Sequence, residues 1–174
     1  MIDRDRLIRD GRGVALVEFA MVLPVLMMLF VGGYQISDAV AAQRKITAAA
    51  RTIADLTSQY TTVTDSDLDT ILNASEQVMA PYAQTNARMT VSQIDIDATR
   101  RSKVGWSRGK NTAKLAAGSE FAVPDSIKQA NTSLIVARID YQYIPGIAAS
   151  MIGQIPLSET IIMSPRASAT VVKQ

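Results

Sequence analysis

The sequence predicts an α+β protein. An N-terminal transmembrane helix continues into a long amphipathic helix, followed by a small helix and a three- to four-stranded antiparallel sheet. Three patterns predict it. From Val14 to Tyr34 the chain carries one charge, Glu18, and one proline, Pro24, with apolar residues at nearly every other position. At 1.5 Å per residue that stretch reaches roughly 30 Å, the thickness of a bilayer's hydrocarbon layer. Beyond it, apolar residues recur in steps of three and four as far as Tyr60, which is a helical period. After Pro81 the period changes to two, the mark of strands. These changes divide the chain into a leader at 1–13, a span at 14–34, an amphipathic helix at 35–60 and an α+β domain at 61–174.

The leader is basic. Arg4, Arg6, Arg9 and Arg12 precede the span, whereas Arg44 and Lys45 are the first basic residues after it. The excess of positive charge on the N-terminal side predicts a cytoplasmic leader and a translocated C-terminal domain, hence a single-pass membrane protein. Cleavage as a secretory signal, with Ala39-Val40-Ala41 as the small-residue site, is the competing expectation. The apolar core is longer than an ordinary signal core and contains Glu18 and Pro24, which weighs against it.

Glu18 is the residue that hydropathy alone does not explain. An ionised carboxylate in hydrocarbon costs several kcal/mol unless it is paired, protonated or near the headgroups. Pro24 removes a backbone donor and predicts a kink. Gly32-Gly33 predicts looser helix at the end of the span. The following stripe is Ile36, Ala39, Ala42, Ile46, Ala49, Ile53, Leu56 and Tyr60, with Arg44, Lys45, Arg51 and Asp55 off it. Its alanines permit close approach of a second element, either the chain's own sheet, which is the favoured expectation, or another subunit's helix.

The Thr-rich segment from Gln59 to Thr64 predicts a break. A helix is expected from Asp65 to Ala80, capped by Thr64 or Ser66, with Leu68, Ile71, Leu72, Val78 and Met79 on its apolar face and Pro81 ending it. Strands are expected around Met89–Ile96, with a bulge near Ser92-Gln93 where the apolar phase jumps. Further strands are expected at Lys103–Ser107, Ser133–Tyr143 and Leu157–Met163, with Ala167–Val172 as an added edge. Arg108–Phe121 reads as a long surface loop, and Ile147–Gly153 as loosely helical.

Composition narrows the chemistry. The net charge of +2 is too small to argue for nucleic acid. Without cysteine there are no disulfides or thiolate metal sites, and without histidine the commonest general base and zinc ligand are missing. No enzymatic activity and no cofactor are expected. Asp65, Asp67, Asp69, Asn73 and Glu76 imitate the ligand spacing of a calcium-binding loop, with Leu72 at its apolar eighth place. The sixth place is Thr70 where that loop needs glycine, and the stretch reads as helix, so no metal is expected. Ser107 and Lys110 match S-x-x-K without the companion motifs of the penicillin-binding enzymes. Asp97 and Asp140 fall on predicted strands with nothing to couple them. Trp106, Tyr141 and Tyr143 read as core residues.

The run Arg12-Gly13-Val14-Ala15-Leu16-Val17-Glu18-Phe19-Ala20, followed by Val22-Leu23-Pro24, resembles the TadE-like family of pseudopilins, from the tight-adherence (Flp pilus) secretion apparatus of bacteria. The similarity continues through Ala41–Arg51 and Ala54-Asp55-Leu56, about a quarter of the chain in all. Tyr141, Tyr143 and Pro165-Arg166 resemble the family loosely. The resemblance implies a pilin-like head and a structural role as a minor pilin or pseudopilin. Its implied partners are inner-membrane lipid, other pilins or pseudopilins and pilus assembly proteins. It further implies a prepilin peptidase cutting between Gly13 and Val14, with Glu18 meeting the new amino terminus of a neighbouring subunit. A second reading is a membrane-anchored extracytoplasmic binding module unrelated to pili, with Trp106 and the Arg108–Phe121 loop as its contact surface.

Overall fold

The computed structural model describes residues 12–147, 149 and 153–174. Its first element is a single helix, α1, from Arg12 to Ser58, and the helix runs without interruption through Pro24 and Gly32-Gly33. Every residue from Gly13 to Phe30 is exposed, whereas the C-terminal half of α1 lies on the rest of the molecule. The residues it buries are Gln35, Ala42, Ile46, Ala49, Ala50, Ile53, Ala54, Thr57 and Ser58. The expected stripe is therefore widened on one side by Ala50 and Ala54. Ile36 and Tyr60 at its ends are exposed instead of buried. The four buried alanines let the helix axis approach its support closely, because a Cβ is the largest thing in the way.

The support is a four-stranded antiparallel sheet in the order β3-β2-β4-β5, from β2 (Ala87–Ile96), β3 (Ser102–Lys110), β4 (Thr132–Tyr143) and β5 (Ile155–Met163). Helix α2 (Asp65–Val78) joins α1 on the same face. The Thr64 side chain accepts from the Asp67 amide while the Asp67 carboxylate accepts from the Thr64 amide, a reciprocal cap that fixes the start of the helix. Leu68, Ile71, Leu72 and Ser75 face inward. The expected edge at Ala167–Val172 is corrected: β6 (Val172–Lys173) pairs in parallel with the two-residue β1 (Thr62–Val63), away from the main sheet.

The sheet has two cores, and they explain the phase jump in β2. Met89 and Val91 point to the helix-covered face, with Ile135, Ala137, Ile139, Tyr141 and Tyr143 of β4. Ile94 and Ile96 point to the other face, where Val104, Leu134, Val136 and Val123 form a second cluster with Phe121 and Ile162 packed on it. Between β2 and β4 the register is unbroken from Ala87 to Ile96. The jump thus marks a change of buried face, not a slip in β2. A bulge does occur at Gln93/Ile94, but its extra residue is Gly105 on β3. A Cβ there would collide with an Asp95 carboxylate oxygen, so a larger residue at this position would have to displace that side chain.

Strand β3 extends to Lys110, beyond its expected end, and the surface loop begins there. Arg108 and Lys110 are thus strand residues that reach up to α2. Asp97 sits in the β2–β3 turn, where its carboxylate accepts from Thr99 and Arg101, and not on a strand.

Candidate functional site

Two stretches of α1 present functional chemistry, and they differ in what surrounds them. The first is the exposed apolar half. By length and composition α1 is the one helix among the described residues that can cross a membrane. Leu16, Phe19, Met21, Met28, Leu29 and Phe30 stand out on all sides, so no face is reserved for a protein core. Glu18 stands among them. The positions within helical reach of it are Val14, Ala15, Met21 and Val22, and none can neutralise it. Gly13 and Val14 are helical, and Val14 is exposed. Pro24 leaves the Ala20 carbonyl without its intrahelical donor. The leader lies outside the described residues except for its last two positions.

The second stretch is where α1 leaves the span and meets the head. Asp38 accepts hydrogen bonds from both Tyr143 and Tyr82, the latter at 2.9 Å; the Tyr82 hydroxyl also lies 3.1 Å from the Asp38 backbone carbonyl. The two rings meet edge to face with centroids 6.3 Å apart. Burial pushes the Tyr82 phenol up to about 12, aided by the hydrogen bond to Asp38 and its charge, and raises Tyr143 for the same reasons. One turn further on, Gln43 and Thr47 donate to Glu159 of β5 at 2.9 and 3.1 Å. These contacts tie the emerging helix to both β4 and β5, so the head cannot swivel freely about the span. Sequence reading missed Asp38 and Tyr82. The signal was present: an acidic residue on the buried side of an otherwise Ala-rich exit helix needs a donor.

The remaining candidates resolve into structure. Asp65, Asp67, Asp69 and Glu76 lie on α2, so they do not form the loop that would wrap a cation. Arg108 forks onto Asp69 at 2.8 and 2.7 Å and lies 3.5 Å from Asp65. Lys173 holds Asp65 at 2.7 Å, and Lys110 reaches Glu76 at 2.6 Å. The Asp69 carboxyl is lowered first by its hydrogen bond to Arg108, and that of Asp65 by Lys173. Among the described residues no acidic cluster converges on a metal position. Ser107 bonds Ser92 at 2.8 Å on the face of β3 opposite Lys110, which separates the two members of the S-x-x-K match. Asp140 pairs with Arg138 at 2.9 Å, which lowers its carboxyl. Trp106 is buried, with its indole N–H on the Val171 carbonyl at 2.7 Å. It locks the C-terminal tail and is not offered to a ligand.

Comparison with known families finds one match: residues 13–55 fit the model described as TadE-like protein. That range covers the exposed half of α1, Glu18, and most of the packed half. No curated protein and no solved structure matches the chain.

Proposed function

We propose, from the TadE-like character of residues 13–55, that this chain is a minor pilin or pseudopilin of a tight-adherence pilus assembly and secretion system. It acts structurally: α1 spans the inner membrane with the head outside the cytoplasm, and its exposed half packs among the helices of other subunits. The observation that carries this is Glu18, a single carboxylate on a helix that is apolar and exposed on every side. A plain lipid anchor gains nothing from it. A buried carboxylate becomes tolerable when a cation on another polypeptide meets it in low dielectric. The amino group of Val14 on a neighbouring subunit, freed by a peptidase acting after Gly13, is a cation of the right depth.

Two measurements test the reading. Glu18→Ala should abolish co-purification with other pilus subunits while leaving membrane insertion intact, since the span becomes more lipophilic. Unchanged assembly in that variant would reduce the span to an anchor. The mature N-terminus in purified membranes should be Val14, and a start at Met1 removes the peptidase from the proposal. Of the surface that a ligand-binding module would use, Trp106 is buried and residues 111–120 are exposed.

A further inference from the structure

A groove of about 440 Å³ opens beside α1 just past the span, between the helix and the edge strand β5. Its walls include Ile36, Ala39 and Val40 of the helix with Tyr143, Ile155 and Leu157 of the sheet, and among the described residues no charged one lines it. Ile36 and Val40 are exposed, as are Ile144 and Ile147 in the segment between β4 and β5. Ile147 lies at the level of the groove's lower end, where its carbonyl accepts from the Gln35 amide.

We infer that the underside of the head is a lipid-docking surface, seated in the interfacial layer with a phospholipid acyl chain in this groove. Exposed apolar surface on α1 continues from Val14 to Val40, about 39 Å at 1.5 Å per residue. That exceeds the hydrocarbon core of ~30 Å and matches a bilayer counted with its headgroup layers. The groove is continuous with the lipid-facing helix, and its lower end begins at Gly32, inside the span. Gln35 lines the groove at this lower end, is buried, and its side-chain oxygen has no donor among the described residues. The interfacial layer, through a headgroup or an ordered water, supplies one there.

The inference rests on the membrane reading of α1 but not on the pilus, and a labelling experiment separates them. The chain has no cysteine, so single cysteines at Met27, Ile147 and Lys114 can each carry an environment-sensitive fluorophore. The full chain is reconstituted in phosphatidylethanolamine/phosphatidylglycerol vesicles containing lipids spin-labelled near the headgroup or deep in the chain. The expected result is deep quenching at Met27, shallow quenching of similar extent at Ile147, and none at Lys114. Adding Val40→Glu should abolish the Ile147 signal and leave that of Met27. Quenching at Met27 without Ile147 would overturn the docking surface alone, whereas no quenching at Met27 would overturn the span and the docking surface with it. Efficient disulfide formation between Val40→Cys copies in the same vesicles would put a second copy in the groove and also overturn the inference.

Discussion

The two halves of α1 belong to one unbroken helix but differ in composition and in what surrounds them. From Gly13 to Phe30 the helix is wholly exposed, and from Ala42 to Ser58 it contributes one wall of the main core. The packed half mixes polar residues into a stripe, because only one side meets protein. The exposed half is apolar all round, which in water would be an aggregation surface and in lipid is ordinary. Hydropathy and the placement of charge therefore both distinguish them: Glu18 is the one charged residue from Gly13 to Phe30, whereas Arg44, Lys45, Arg51 and Asp55 punctuate the packed half.

Substitutions along the helix should respond accordingly. The largest loss is expected from Ile53→Ala, at a fully buried position between helix and sheet. It should destabilise the head by about 2–5 kcal/mol in denaturant unfolding, whereas Met27→Ala should change head stability by less than about 0.5. Equal effects would mean that the halves are not distinct. Asp38→Ala comes next. It strands the hydroxyls of Tyr82 and Tyr143 and should cost about 1–3 kcal/mol, with the head gaining motion relative to the span in spin-label distance distributions. An unchanged distribution would show that other contacts hold the joint.

Alkali should loosen the same joint. The unfolded chain's tyrosines titrate near 10, and the folded state holds the Tyr82 proton until about 12. The stabilisation is thus complete below pH 10 and is lost as pH rises toward 12. Phenolate absorbance followed alongside unfolding would check this, and an ordinary phenol titration in the folded protein would contradict it. The smallest effect is expected at Thr64→Ala, which removes half of the reciprocal cap on α2 and should cost about 1 kcal/mol. A neutral result would mean that the ion pairs from Arg108, Lys110 and Lys173 hold that helix without its cap.

Much of this was legible in the sequence where one element sees one environment. The long helix, the capped helix at Thr64, strand β4 and the strand before Pro165 follow from period, cap and punctuation. The β2 phase jump pointed to a bulge, and one lies at Gln93/Ile94, but its extra residue is on β3, and the jump itself comes from a strand buried first on one face and then on the other. The acidic residues of α2 imitated a calcium loop because ligand spacing ignores backbone conformation; Thr70 in the glycine place and the helical spacing of Leu68, Ile71 and Leu72 argued against it. Ile36 read as core because it keeps the helical period, yet the sheet stops short of it and leaves the groove. Asp38 signalled a need for donors but not which residues meet it. Its partners are 44 and 105 residues away, and no local pattern encodes such a meeting.

The claim that one unbroken helix serves two solvents can be read directly by a cysteine scan of α1 in intact membrane vesicles, using a membrane-impermeant maleimide. The account predicts no labelling at exposed positions from Val14 to Phe30, and ready labelling at Arg44, Lys45, Ala48 and Arg51, with the step near Tyr34. Labelling that continues with a helical period down to Glu18 would mean that this half lies in water or on a protein surface, and the membrane-spanning reading would fall.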